Sequence, residues 1–347
     1  VSVTIYDIAE RAGVSIATVS RAFSGRTPVA DPTRKRVMSA ARDLGYEPNV
    51  AARNLARQAT QVVGVVVPML TSYFFMEVIR GIQDRLSEAG YDLLVYAART
   101  PDLVGRQFDR ALQPGRADGV LLCSTPMTAE RAERLRASGY PVVLVDSDHA
   151  DFDSVSVDNA EGGCAAARHL LAEGRRRFAL ILPHPESVPG VERRRGFERA
   201  LAEADVALDP ALVSESRDAE QHGYTREGGY DAMRALLSAG PMPDAVFAAS
   251  DVQALGALKA LREAGLRCPE DVAVVGFDDI RTSAYVGLTT LSQPMYEMGR
   301  SGTEKLLCRI AEPSRPVSRT TFSARLVVRE TSAAHTATPA LDPLVAL

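Results

Sequence analysis

Residues 3–23 read VTIYDIAERAGVSIATVSRAF, two short helical patterns that meet at Gly13. In the first, Ile5, Ile8, Ala9 and Ala12 recur at helical spacing and form one narrow apolar stripe, leaving Asp7, Glu10 and Arg11 for water. Gly13 tolerates left-handed backbone, which a tight turn between two crossing helices requires, and Val14 plugs the corner. Ser15 precedes the second helix, where its hydroxyl can accept a hydrogen bond from a backbone N–H near Thr18. Val19 and Ala22 face inward, so Ile16, Ala17, Ser20 and Arg21 are left on the outer face. Small groups, a hydroxyl and a bidentate donor on one exposed face predict a helix-turn-helix that lays its second helix in the major groove of DNA. Arginine suits guanine O6 and N7, while Ile16 and Ala17 suit thymine methyls.

The flanking sequence extends this reading. Asp31 and Pro32 are expected as N-cap and first helical residue of a third helix, with Val37, Ala41 and Leu44 inward and Gly45 as its stop. Arg34, Lys35 and Arg36 stay outside, suited to phosphates. An Ala-rich helix candidate follows at 50–57. The first 60 residues hold nine Lys+Arg and five acids, a charge of +4 inside a chain of net charge −4, so the remainder carries −8. The basic end is the end with the helix-turn-helix, as binding to a polyanion requires.

From residue 62 the pattern changes. VVGVVV at 62–67 is apolar on both faces, like a parallel strand covered on each side by helices. Strands are predicted at 62–67, 93–98, 119–123, 142–145, 178–182, 245–248 and 272–277. Helices are predicted at 74–89, 128–138, 161–173, 191–204, 225–237 and 252–264. This alternation indicates βαβ units with mostly parallel sheets, and there are too many strands for one small sheet, so two α/β lobes are expected. Ligands bind outside the carboxyl ends of such strands, which draws attention to 68–75, Asp146, Asp251 and Asp278.

Several function classes lose support. The chain has no P-loop, G-x-S-x-G, HExxH or G-x-G-x-x-G, and its five histidines and four cysteines show no metal-ligand spacing, so neither an enzyme nor a cofactor is expected. No run approaches the roughly 20 apolar residues of a membrane span, and there is no basic-then-apolar leader, so a cytoplasmic protein without membrane partners is the expectation.

The runs VTIYDIAERAGVSIATVSRAF, VADPTRKRV and LGYEPNVAARNLA resemble the DNA-binding headpiece and hinge helix of the LacI/GalR family of bacterial transcription regulators. VVGVVVP, VDNAEGG, RRRGFERAL, ASDVQALGALKALREAGL, PEDVAVVGFDDI and GLTTLSQP resemble its effector domain, which is like the periplasmic sugar-binding proteins. The resemblance implies a helical headpiece at 1–48, a hinge at 49–61, a two-lobed α/β effector and dimerisation domain at 62–331, and a tail at 332–347. It implies DNA contacts from Thr4, Ser15, Ile16, Ala17, Thr18, Ser20, Arg21, Thr33, Tyr46, Asn49, Ala52 and Leu55. In the family, the hinge leucine, here Leu55, wedges between base pairs in the minor groove, which kinks the DNA. It also implies effector contacts from Asp146, Arg193, Tyr224, Asp251, Asp278 and Gln293, with Phe74 and Phe75 as an apolar wall. The implied partners are a double-stranded, pseudo-palindromic operator, a sugar-like effector and a second copy of the chain. The implied function is a ligand-responsive regulator, most simply a repressor; the family holds members released by ligand and members that need one. The alternative is a solute-binding protein with no DNA role.

Overall fold

The computed structural model describes residues 3–24, 28–46, 59–97, 101–113, 115–125, 127–216 and 220–333. The hinge residues Asn49, Ala52 and Leu55 and nearly all of the tail lie outside these residues. The chain forms two compact units, Val1–Thr60 and Gln61–Leu347.

In the first unit, α1 (Ile5–Ala12), α2 (Ile16–Ser24) and α3 (Asp31–Asp43) close around Ile8, Val19, Ala22 and Val37, each at most 2% exposed. Three helices of this size have little else to bury, and Phe23 and Tyr46 complete the core with rings 5.7 Å apart. The entry to α1 is fixed by Asp7, whose Oδ2 accepts from Thr4 N and Thr4 Oγ1, both at 2.7 Å. These bonds hold the Asp7 carboxyl below its usual pKa. Gly13 closes the helix at φ 64°, and Ser15 Oγ accepts from Thr18 N at 3.2 Å as the sequence suggests. One boundary differs. Ala30, not Asp31, is the N-cap of α3, because its carbonyl accepts the first helical N–H groups, from Thr33 and Arg34. Asp31 is therefore inside the first turn, where its charge still complements the helix dipole, and Pro32 is one position further in.

The second unit is two α/β lobes. Its first lobe carries β1 (Val62–Val67), α4 (Tyr73–Ala89), β2 (Asp92–Ala97), α5 (Pro101–Ala111), β3 (Gly119–Cys123), α6 (Ala129–Ser138), β4 (Val142–Val145) and β5 (Asp153–Val157). Its second lobe carries α7 (Asn159–Ala172), β6 (Phe178–Leu182), α8 (Val188–Glu203), β7 (Val213–Glu215), α9 (Arg226–Ala239), β8 (Ala245–Ala248), α10 (Asp251–Glu263), β9 (Ala273–Asp278), α11 (Arg281–Tyr285) and β10 (Thr289–Ser292). The chain then returns to the first lobe for α12 (Met295–Ala311) and β11 (Arg319–Phe322), and ends in the second with β12 (Arg325–Val327).

Among the described residues the sheets are six-stranded, in the orders β11-β5-β4-β3-β1-β2 and β12-β10-β9-β8-β6-β7, and only β12 runs antiparallel. Their central strands are the apolar runs read from sequence: Val63, Val65, Val66 and Val67 of β1, all of β3, β4 and β6, and all of β8 are buried. The chain passes between lobes three times, at Asp158, at Gln293–Pro294 and at Ser323–Ala324. These crossings lie side by side. Asp158 N donates to Phe322 O at 2.8 Å, and Ser292 pairs with Arg325.

α12 packs on α4 through two glycines. A Cβ on Gly299 would come within 2.1 Å of Val78 O, and one on Gly81 within 2.1 Å of Tyr296 O, so the helices touch backbone to backbone. Among the described residues no helix is long and apolar enough to cross a membrane.

Candidate functional site

The carboxyl ends of both sheets face a cavity of about 340 Å³ between the lobes of the second unit. Parallel sheets place their strand-end loops there, as doubly wound folds do. From the first lobe come the loop after β1 and the start of α4, with Tyr73, Phe74 and Phe75, then Ser124 after β3 and Asp146 after β4. The second lobe contributes Ser187 and Arg193 at α8, Tyr224, Ser250 after β8, and Asp278 at the end of β9.

The backbone at this rim is unusual. Ser124 (φ 44°), Asp146 (φ 56°), His222 (φ 48°) and Asp278 (φ 123°) all have positive φ without being glycine, and all four line the cavity. Such conformations cost free energy and persist where the surroundings over-determine them, which happens most at ligand sites.

Arg193 is the centre of the polar floor. It is 4% exposed, and its guanidinium lies 3.7 Å from the centroid of Phe277. Nε donates to Asn159 Oδ1 at 2.9 Å and Nη1 donates to the Ala249 carbonyl at 2.6 Å, with Asp278 Oδ1 3.9 Å from Nη1. Face stacking and two directed bonds fix the plane of the fork, as recognition of paired oxygens requires.

Two acids stand opposite each other across the cavity. Asp146 accepts from Ser124 Oγ at 2.5 Å, and burial pushes its carboxyl up to about 6 against the pull of that bond and of Arg193. Asp278 accepts from Gln293 Nε2 at 2.6 Å; burial raises its carboxyl strongly, with Arg193 opposing and Asp251 adding to the rise. Tyr224 is also raised by burial and shares a 2.8 Å bond with Ser187. Phe74 and Phe75 meet edge to face at 5.2 Å and supply an apolar wall.

The Asp146 shift has a sign that can be measured. The folded carboxyl keeps its proton to about pH 6, whereas the unfolded one loses it near pH 4. The native state therefore binds more protons in that window, and stability falls as pH rises through it. Asp146→Asn removes the slope while keeping an acceptor for Ser124 and a residue at ease with positive φ. Its melting temperature relative to wild type is expected to climb from pH 4 to pH 7; a constant difference would contradict the shift.

Six of the eight expected effector residues, Phe74, Phe75, Asp146, Arg193, Tyr224 and Asp278, line the cavity. The other two do not. Gln293 lies behind Asp278 at the second lobe crossing, 7% exposed. Asp251 is fully buried and points away, its carboxylate accepting from Ile280 N at 2.9 Å, Ser283 Oγ at 2.6 Å and Thr290 Oγ1 at 2.5 Å. The expectation that it faces the ligand is corrected by one residue. Ser250 is the N-cap of α10 and lines the cavity, and Asp251, the first helical residue, turns beneath it. Tyr73 falls in the stretch 68–75 that the strand-end rule singles out, whereas Ser124 and Ser250 escape sequence reading because serines at strand ends carry no pattern; the available signal is position after β3 and β8 alone.

On the headpiece, the outer face of α2 presents Ile16, Ala17, Ser20 and Arg21, all exposed, with Arg21 Nε donating to Ala17 O at 3.1 Å. Thr18 and Thr33 are half-buried beside it, and Tyr46 is half-buried against Phe23.

Residues 4–49 match the family model described as bacterial regulatory proteins, lacI family, and 167–332 match the periplasmic binding protein-like domain. The chain is 32% identical to the HTH-type transcriptional repressor PurR of Haemophilus influenzae (strain PittEE), over 94% of this chain and 98% of that protein. It is 36% identical to the HTH-type transcriptional regulator CelR of Thermobifida fusca, over 94% and 97%. Among solved structures, a lac repressor dimer bound to operator and the anti-inducer ONPF superposes with TM-score 0.85 at 27% identity, covering 96% of this chain and all of that one. A CelR–cellobiose complex gives 0.71 at 34% identity, covering 95% and 99%. A helix-turn-helix joined to a two-lobed ligand cleft, with relatives matched along nearly their whole length, places this chain in the lacI family of bacterial regulatory proteins, ligand-responsive DNA-binding transcriptional regulators.

Proposed function

We propose that the cleft binds a neutral, polyhydroxylated effector of the sugar class, and that this ligand sets the affinity of a homodimer for a pseudo-palindromic operator. The observation that carries the ligand class is the floor of the cleft: Asp146 and Asp278 from opposite lobes flank the stacked Arg193. Carboxylates accept from, and a guanidinium fork donates to, neighbouring hydroxyls, while Phe74, Phe75 and Tyr224 suit the C–H faces of a ring. A phosphate would meet two buried acids and an arginine already held by Asp278, Asn159 and Ala249. A CelR structure holds cellobiose and a LacI family regulator from Enterococcus faecium holds ribose.

On the DNA side, Ile16, Ala17, Ser20 and Arg21 are proposed to meet base edges. Thr4, Ser15, Thr18, Thr33 and Tyr46 would hold the headpiece against the backbone, and Asn49, Ala52 and Leu55 would open the minor groove. Because Ile16 and Ala17 donate no hydrogen bonds, part of the specificity is expected to come from the shape of the kinked operator. Pairing of two copies is supported by the likeness to a lac repressor dimer over 96% of this chain. A solute-binding role without DNA is opposed by the headpiece itself.

A thermal-shift series tests the ligand class. Neutral mono- and disaccharides, their phosphates and nucleobases are compared at equal concentration. A neutral saccharide at about a hundredfold excess over its Kd is expected to add about 2.7 kcal/mol, a shift of several degrees. Stabilisation by phosphates or nucleobases with none from any neutral saccharide would overturn the assignment.

A further inference from the structure

Two of the three lobe crossings carry a buried amide side chain, and each is bonded to one of the two charged residues on the floor of the second lobe. At the first crossing Asn159, 4% exposed, accepts from Arg193 Nε at 2.9 Å and is braced by Val157 O and Glu192 Oε2, both of which accept from its Nδ2. At the second crossing Gln293, 7% exposed, donates to Asp278 Oδ1 at 2.6 Å. Arg193 and Asp278 are themselves an ion pair at 3.9 Å. The result is a continuous chain, Asn159–Arg193–Asp278–Gln293, that begins on one crossing, passes under the cavity and ends on another.

Asn159 is engaged through both its Oδ1 and its Nδ2, and Gln293 is engaged through its Nε2.

We propose that Asn159 is a positioning residue for Arg193, and that the chain from Asn159 to Gln293 couples the cleft to two of the three lobe crossings. A ligand that draws Arg193 or Asp278 toward its hydroxyls pulls on residues that are themselves part of those crossings. No intermediate element is needed, and both crossings respond to the same event. This inference rests on the assignment of Arg193 and Asp278 as ligand-holding residues.

The competing route runs through the third crossing, whose backbone touches both others at Phe322 and Arg325. Hydrogen exchange followed by mass spectrometry on the full chain, without ligand or DNA, separates the two. Asn159→Ser is expected to speed exchange in the peptide 290–296 about tenfold, the effect of one lost bond to a charged group. Gln293→Leu is expected to do the same in 156–160, which reads the chain from its other end and stands if Asn159→Ser folds poorly. Neither remote effect should appear in an Arg193→Gln background, where the chain is already cut. Leu236→Ala, a buried site in the far core of the second lobe, should lower the melting temperature and leave both peptides unchanged. Changes confined to the substituted crossing, or remote changes that persist in Arg193→Gln with faster exchange in 321–326, would overturn the proposal. Since no effector enters the experiment, its failure leaves the ligand assignment standing, and failure of the saccharide series leaves the coupling measurable.

Discussion

Asp251→Ala is expected to lower the stability of the protein by about 3–5 kcal/mol, because three buried donors lose their shared acceptor at once and each orphaned group costs about 1–3 kcal/mol. The carboxylate ties the first turn of α10 to Ile280 and Ser283 at α11 and to Thr290 on β10, so one side chain holds three elements of the second lobe. Gly276 makes room for it, since a Cβ there would stand 2.3 Å from Asp251 Oδ1. A domain of ordinary stability has about 5–15 kcal/mol to lose. The melting temperature should therefore fall by about 10 °C. Asp251→Asn, which keeps one acceptor, should fall less, and either variant that remains folded should still bind ligand. A variant as stable as wild type but blind to ligand would return Asp251 to the cleft wall and contradict the geometry.

Arg193→Met is expected to weaken ligand binding by at least about a hundredfold, roughly 2.7 kcal/mol, measured by calorimetry with the saccharide that stabilises wild type. Methionine fills the space over Phe277 but offers no donors, and it leaves Asn159 Oδ1 and the Ala249 carbonyl without their partner. Arg193→Lys keeps the charge and loses the planar fork, so it should fall between the two. Binding by Arg193→Met as tight as wild type would place the ligand elsewhere.

How far the sequence could be read follows from what each element buries. Strands covered on both faces announce themselves: the runs VVGVVV, VVLV and FALIL coincide residue for residue with β1, β4 and β6, because an apolar run of that length has few other uses. The two strands at the β11 edge of the first sheet do not. β5 reads DSVSV, with Asp153 buried against Arg309, and β11 reads RTTF with alternating exposure, so neither differs in composition from a polar loop. α12 is missed for a related reason. Its buried face includes Gly299 and Gly302, which allow close approach to α4 and β4, and Thr303 and Lys305, which are bonded to Gly299 O and to Ser318, so the face is not marked by hydrophobicity.

The site shows the same division. The lobes and the strand ends were legible, and with them the six residues that line the cavity. What could not be read is the direction of a side chain at a helix start, which turns on a single residue: Ser250 caps and faces the cleft, Asp251 begins the helix and faces the core. The start of α3 fails in the same way, with Ala30 in the capping position where Asp31 has the better chemistry. Capping preference is a tendency of residue types, whereas the position of a cap is fixed by where the preceding chain leaves the sheet or turn.

Regulation requires one linkage, between the cleft and DNA. It is tested most directly by fluorescence anisotropy of the whole 347-residue chain on a pseudo-palindromic operator obtained by selection, with and without the stabilising saccharide at saturation. The expected result is sequence-selective, salt-sensitive binding whose Kd changes at least about fivefold, in either direction, when the cleft is filled. Operator affinity that is indifferent to a ligand filling the cleft would contradict it.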